Sequence, residues 1–272
     1  MAPGIISDDL PVRSADESTK QTRYRQPLKL SGALEKYKYE DTTPTIGREF
    51  FSVNIVDDLL TDDEALRDLA ITSKHLFVPY LLPGTANSIV VSQRGVVFFR
   101  AQDNLTNDLQ KQFVHKLGLL SGKPEDSTLH IHPVLNNTSE FGVNDAEISV
   151  ISSVAREKLF KHERAADKRR YDSAQWHSDI QFERKPADYT SLRLTKLPKT
   201  GGDTLWASGY EIYDRFSRPY QKFLEGLTAT FSGDGFLEAA AADPEKVKIH
   251  EGPRGSPDNV DRELTAVHPV VR

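Results

Sequence analysis

Two side chains in this sequence stand where they can share one metal ion. Trp176-His177-Ser178-Asp179 places an imidazole and a carboxylate two residues apart, and in a strand residues two apart face the same side. One nitrogen and one oxygen donor can then converge on a single cation. A second histidine from elsewhere in the chain would complete a 2-His-1-carboxylate triad, which leaves three open positions, two for a chelating oxo acid and one for O2. The pair alone also has a plainer reading, a surface His–Asp couple, because eight histidines give this spacing many chances to arise. There is no cysteine, so disulfides and thiolate metal sites are excluded. Any metal is held by His and carboxylate, which favours iron, manganese or zinc over copper(I).

The elements that must position this pair read as follows. Residues 1–27 are polar, charged and aperiodic, and are expected to form a mobile tail, with order beginning near Leu28. Residues 43–53 look like an entry strand. Thr61-Asp62-Asp63-Glu64 has the form of a capping box with Thr61 as the cap, and Leu66, Leu69 and Ala70 give the following helix an apolar face. Residues 96–99 read as a buried strand and 106–120 as a second amphipathic helix. His130-Ile131-His132 lies in or beside a strand, residues 147–154 are another strand candidate, and 155–170 a charged, solvated segment. Strands are expected at 176–182, 189–196 and 203–207, two short helices split near Pro219 over 209–227, and a mobile excursion over 232–262.

One stretch interrupts this pattern. Residues 73–90 contain two prolines and fit neither the helical nor the strand period. With them removed, Val91 falls seven positions after Leu66 on the same helix face, and Gly95 takes the place of a C-cap glycine. The flanks fit each other better than they fit the insert. Ser73-Lys74 and Ala86-Asn87 can be encoded by splice-donor and branch-site sequences, so the stretch is expected to be an unspliced-intron insert. A surface loop is the plainer alternative.

Four motifs in order add context. Leu129-His130-Ile131-His132-Pro133-Val134, then the Trp176–Asp179 motif, then Leu197-Pro198 leading to Thr200-Gly201-Gly202-Asp203-Thr204-Leu205-Trp206, then His268-Pro269-Val270-Val271-Arg272, together resemble the taurine dioxygenase (TauD/TfdA) family of Fe(II)- and 2-oxoglutarate-dependent dioxygenases, in a fungal sulfonate dioxygenase-like form. The resemblance implies a mainly β fold with flanking helices, a double-stranded β-helix or jelly roll. It implies that His177 and Asp179 are iron ligands and that the Thr204 hydroxyl holds a carboxylate of 2-oxoglutarate. Gly201-Gly202 also reads as a tight turn. His132 matches a histidine that faces an anionic head group; the plainer reading is a strand histidine satisfied by a neighbour.

Substrate contacts match at Ser173, where the taurine-specific member has Asn, and at Ile180, where it has Val. Leu135 stands where that member has Tyr. These changes imply an alkyl or aryl sulfonate, or another organic acid, rather than taurine. The implied reaction hydroxylates the substrate and releases succinate and CO2, with sulfite following from a sulfonate. The family's third iron ligand and its 2-oxoglutarate-binding arginine lie beyond the HPVVR segment, a setting that also argues against His268 and Arg272 as their substitutes. On that basis residues 28–272 are expected to be an incomplete domain lacking its C-terminal strands. The alternative reading is a catalytically incompetent family member acting as a non-enzymatic interaction protein.

Bulk composition is that of a soluble globular protein with enough apolar side chains for a sizeable core: of 272 residues, 38% are hydrophobic and 28% charged. The net charge of −5 disfavours nucleic acid as the main partner. No stretch is apolar enough to span a membrane and the first residues do not read as a secretory signal, so a cytoplasmic location is expected, with a small organic acid and O2 as partners and a homo-oligomer compatible with both.

Overall fold

The computed structural model describes residues 29–70, 94–134, 136, 143–153, 176–245 and 247–271. The expected tail, the 73–90 insert, the charged 155–170 segment, Leu135, Ser173 and Arg272 lie outside the described residues.

The first region is a three-stranded sheet covered by helices. Strand β1 (Tyr39–Asp41) pairs antiparallel with β2 (Arg48–Phe50), Tyr39 opposite Phe50 and Asp41 opposite Arg48. Strand β3 (Val97–Phe99) adds to β2 in parallel, with Arg48 opposite Val97. The β1–β2 connection closes tightly: Gly47 has φ +91, and a Cβ there would meet the Thr42 hydroxyl. Arg48 is buried, and its guanidinium bonds Asp41 at 2.7 Å and lies 3.7 Å from the Tyr39 ring centroid.

Parallel pairing of β2 and β3 requires a crossover. It begins with a π-helical turn (Ile55–Leu59), capped by Asn54, whose side chain accepts from the amides of Val56 and Asp57. Helix α1 (Asp63–Ala70) follows. Its cap is Asp62 and not Thr61. The Asp62 carboxylate accepts from the amides of Glu64 and Ala65, while the Thr61 hydroxyl donates to the carbonyl of Asp57 in the preceding turn. Ala65, Leu66, Leu69 and Ala70 are buried, as the periodicity predicts.

Helix α2 (Asn107–Leu120) packs against α1 and starts within one residue of where the sequence places it, with the Thr106 hydroxyl accepting from the Leu109 amide. Phe50, Val53, Leu59, Leu66, Leu69, Phe113 and Leu117 form one apolar core. Asp68 ties the chain entrance to it: its carboxylate accepts from the amides of Ser31, Gly32 and Ala33 and from the Ser31 hydroxyl.

The second region carries helices α3 (Gly209–Asp214) and α4 (Arg218–Glu225), strand β4 (Thr228–Ser232), helix α5 (Asp234–Ala242) and strand β5 (Thr265–Pro269). The expected helix break is present, with Pro219 in the first turn of α4, where its missing N–H costs nothing. β4 and β5 pair antiparallel from Thr228–Pro269 to Ser232–Thr265.

Several expected strands are absent among the described residues. Residues 176–178, 189–194 and 203–207 are irregular chain, 179–182 are a turn, and neither 130–132 nor 148–152 pairs with a neighbour as a strand. The alternation is there, with Leu192 and Leu194 on one side, but both are exposed; a strand needs a partner to hydrogen-bond, and among the described residues none pairs with them. The 232–262 stretch differs in the other direction. It holds α5 and a bonded loop in which Arg254 and Asn259 are buried. No helix among the described residues is long and apolar enough to cross a membrane.

Candidate metal-binding site

His177 lies in the irregular segment 176–178 and Asp179 opens the turn that follows. Their donors converge without a strand: His177 Nε2 and Asp179 Oδ1 are 3.2 Å apart, with the side chains 71% and 58% exposed. Adjacent ligands on an octahedral ion with bonds of about 2.1 Å sit about 3 Å apart. The separation is compatible with two neighbouring positions on one iron, and equally with a surface His–Asp couple in direct contact. Among the described residues no group of three His, Asp or Glu is arranged to hold a metal ion.

The turn carrying Asp179 is held from its C-terminal side. Ile180 adopts φ +50, unusual for a β-branched residue, and the Glu183 amide closes the turn onto the Ile180 carbonyl at 3.0 Å. Glu183 is 1% exposed. Its carboxylate accepts from Arg254 Nε at 2.5 Å, Arg254 Nη2 at 2.9 Å and His130 Nε2 at 3.0 Å. Burial pushes the Glu183 carboxyl up, but the His130 and Arg254 bonds outweigh it and leave its pKa below the ordinary value. Arg254 Nη2 also donates to the Asp261 carbonyl, and Asn259 exchanges two bonds with the backbone of Lys185. This loop lies flat on residues 128–130 because Gly255, at φ +84, has no side chain; a Cβ there would come within 3.1 Å of His130 Cα.

His268, in β5, points Nε2 at the carbonyls of Gln181 and Glu183, each at 3.0 Å. Carbonyls only accept, so this nitrogen carries a proton. Both partners of this nitrogen are backbone carbonyls.

His132 accepts at Nδ1 from the Val134 amide at 3.1 Å, which fixes the Nε2–H tautomer of the neutral ring. It stands edge-on to Phe236, with centroids 4.8 Å apart. Burial, assisted by neighbouring His130, pushes its pKa down to about 4. His132 is therefore uncharged at neutral pH and can offer a hydrogen bond but no formal charge.

Thr204 is exposed in an irregular segment. The glycines before it take left-handed backbone, with φ +76 at Gly201 and +78 at Gly202, in a bent stretch rather than the expected tight turn. Trp206 moors this segment to the first region by an edge contact to Phe98, 5.4 Å between centroids. The structure thus joins His177 to Asp179 directly, while His132 is linked to their turn through its neighbour His130 and Glu183. Glu183, Arg254 and Asn259 escaped the sequence reading. Their partners are some seventy residues away, and an arginine between Gly252-Pro253 and Gly255 reads as loop polarity.

Two cavities lie elsewhere: one of about 280 Å³ bordered by Lys111, His115 and Glu147, and one of about 440 Å³ bordered by Arg184 and Asp261.

Comparison with known proteins points one way. The model of the taurine catabolism dioxygenase TauD, TfdA family matches residues 86–272. The alpha-ketoglutarate-dependent dioxygenase oryG of Aspergillus oryzae is 42% identical over 257 residues, 94% of this chain and 67% of that protein. The alpha-ketoglutarate-dependent dioxygenase btcD of Neocamarosporium betae is 43% identical over 91% of this chain and 68% of its own length. The alpha-ketoglutarate-dependent sulfonate dioxygenase of Saccharomyces cerevisiae is 29% identical over 86% of this chain and 47% of its own length. No solved structure matches.

Proposed function

The chain belongs to the taurine catabolism dioxygenase TauD, TfdA family, and from that premise we propose that it hydroxylates a small organic acid, a sulfonate first among the candidates, with Fe(II) held by His177 and Asp179. Enzymes of this family use Fe(II) and 2-oxoglutarate. The fold that goes with this reading is the jelly roll, to which the β4–β5 pair would contribute. A cytoplasmic location goes with it too.

The observation that carries the proposal is the 3.2 Å approach of His177 Nε2 and Asp179 Oδ1, a separation that suits two neighbouring ligands. When bound, the iron activates O2 at the expense of 2-oxoglutarate. The net change is substrate C–H plus 2-oxoglutarate plus O2 giving substrate C–OH, succinate and CO2. A hydroxylated carbon that bears a sulfonate expels sulfite and becomes an aldehyde.

The chain's own residues supply position. His177 and Asp179 present adjacent donors. The Thr204 hydroxyl donates to a carboxylate of 2-oxoglutarate. His132, neutral with Nε2 protonated, offers a hydrogen bond to an anionic oxygen, and Ile180 supplies apolar surface beside Asp179. Ser173 is the further substrate contact. Sulfonate is favoured by the sulfonate dioxygenases among the relatives; the more similar relatives are named without a substrate.

Anaerobic titration of Fe(II) and 2-oxoglutarate into the chain and into His177→Ala tests the reading. A visible charge-transfer band that forms in the parent and is lost in the variant is expected. A folded parent that forms no such complex would turn the reading toward the non-catalytic alternative.

A further inference from the structure

We infer that Glu183 and Arg254 are positioning residues for the metal pair, a buried ion pair that holds the Asp179 turn in place and ties it to the segment bearing His132. The inference deepens the proposed function and rests on it for the identity of the metal.

The contrast in exposure motivates it. The two metal donors stand in solvent, whereas four residues after Asp179 the chain enters the most thoroughly buried polar cluster of the second region. Glu183 and Arg254 have side chains 1% and 2% exposed and are joined by two parallel bonds. A carboxylate in a two-bond fork with a guanidinium is fixed in direction as well as in distance. That orientation fixes the Glu183 backbone, whose amide closes the turn over Ile180 and whose carbonyl receives His268. Three distant stretches therefore converge on one turn: His130, the Arg254–Asn259 loop and His268.

A left-handed Ile180 between Asp179 and this anchor explains what the anchor is for. An isoleucine does not choose φ +50 by itself, so the surroundings must impose it. The imposed turn aims the Asp179 carboxylate back toward His177. The third bond of Glu183 goes to His130, two residues before His132, so the same carboxylate sets the spacing between the metal pair and the candidate substrate contact. Removing the pair should leave both metal donors present but let their separation wander.

The test uses the full chain with the double substitution Glu183→Leu and Arg254→Met, which removes both charges together and so avoids a buried unpaired ion. The two readouts are amide hydrogen exchange and anaerobic Fe(II) titration in the presence of 2-oxoglutarate. Faster exchange confined to positions 180–184, with α1 and α2 unchanged, and an Fe(II) Kd raised about tenfold or more would support the inference. Unchanged exchange in the turn would overturn it. So would an unchanged Fe(II) Kd in a parent that binds iron. If the parent binds no iron, the functional reading falls, and the exchange data alone decide whether the ion pair holds the turn.

Discussion

The two regions of this chain are built on different principles. In the first, the β1–β2–β3 sheet, α1 and α2 enclose a continuous apolar cluster in which Leu59, Ala65 and Leu66 are fully buried. In the second, many large apolar side chains are outside: Leu194, Leu197, Leu205, Tyr210 and Phe223 are each more than half exposed, and the interior combines a few apolar side chains, Phe182, Val247 and Leu264 among them, with the buried Glu183, Arg254 and Asn259. Apolar burial is non-directional and tolerates local error. Hydrogen-bonded ions are directional and fail abruptly when one partner is lost. The region that carries the proposed metal pair thus leans more heavily on directional bonds, which suits two donors that are to keep a fixed separation.

The largest expected effect comes from breaking the polar side of this contrast. Arg254→Met alone leaves Glu183 buried without its ion partner and should cost about 3–5 kcal/mol, read as a lowered urea midpoint. Retention of parental stability would mean that the second region does not depend on this ion pair. On the apolar side, Leu66→Ala should cost about 3 kcal/mol through lost burial and the cavity left behind, measured in the same way.

Acid provides a third probe. The folded-state pKa of His132, about 4, lies below its ordinary value of 6.5, because burial penalises the charged ring. The fold therefore favours the neutral form. That contribution is complete above pH 6.5, declines as pH falls through the window, and is gone below pH 4, where folded and unfolded states are both protonated. A shift of about 2.5 units corresponds to roughly 3 kcal/mol. His115, lowered by burial and by Lys123, acts with the same sign. Asp41, held low by its Arg48 bond, and Glu183, pushed up by burial but held low by its His130 and Arg254 bonds, add their own loss only as pH falls through the carboxylate range and below it. His132→Gln should flatten the stability profile between pH 6.5 and 4 without abolishing it; an unaltered slope would place the acid sensitivity elsewhere. The smallest effect is expected from Leu194→Lys. Leu194 is 62% exposed, so stability should move by less than about 0.5 kcal/mol, while light scattering on heating should fall as apolar surface is removed.

Legibility in the sequence followed the same division. Helix α2 could be read to within one residue, since the apolar spacing of Phe113 and Leu117 is a local signal, with Thr106 serving as its cap rather than its first residue. The cap of α1 was misplaced by one residue because Thr61 spends its hydroxyl on the turn before it, a choice invisible in the capping pattern. The strands read at 176–182 and 189–196 rested on alternation, which records a tendency to be flanked but does not supply the neighbour. At the site, the spacing of His177 and Asp179 was readable, although a turn rather than a strand brings them together. The Glu183–Arg254 pair was not readable at all. Nothing in either residue's neighbourhood announces a partner 71 positions away.

The crossover between β2 and β3 has a consequence for how this gene can vary. Both ends of the stretch between Ala70 and Arg94 are tied to the body of the protein. The Ala70 carbonyl accepts the Tyr189 hydroxyl, and the Arg94 guanidinium binds the carbonyls of Thr43, Pro44 and Gly47. For a flexible connection between fixed posts, chain length would enter stability only logarithmically, at about 0.6 kcal/mol for each doubling. Insertions that leave both posts in place should therefore cost the folded body little, which an unchanged urea midpoint would show.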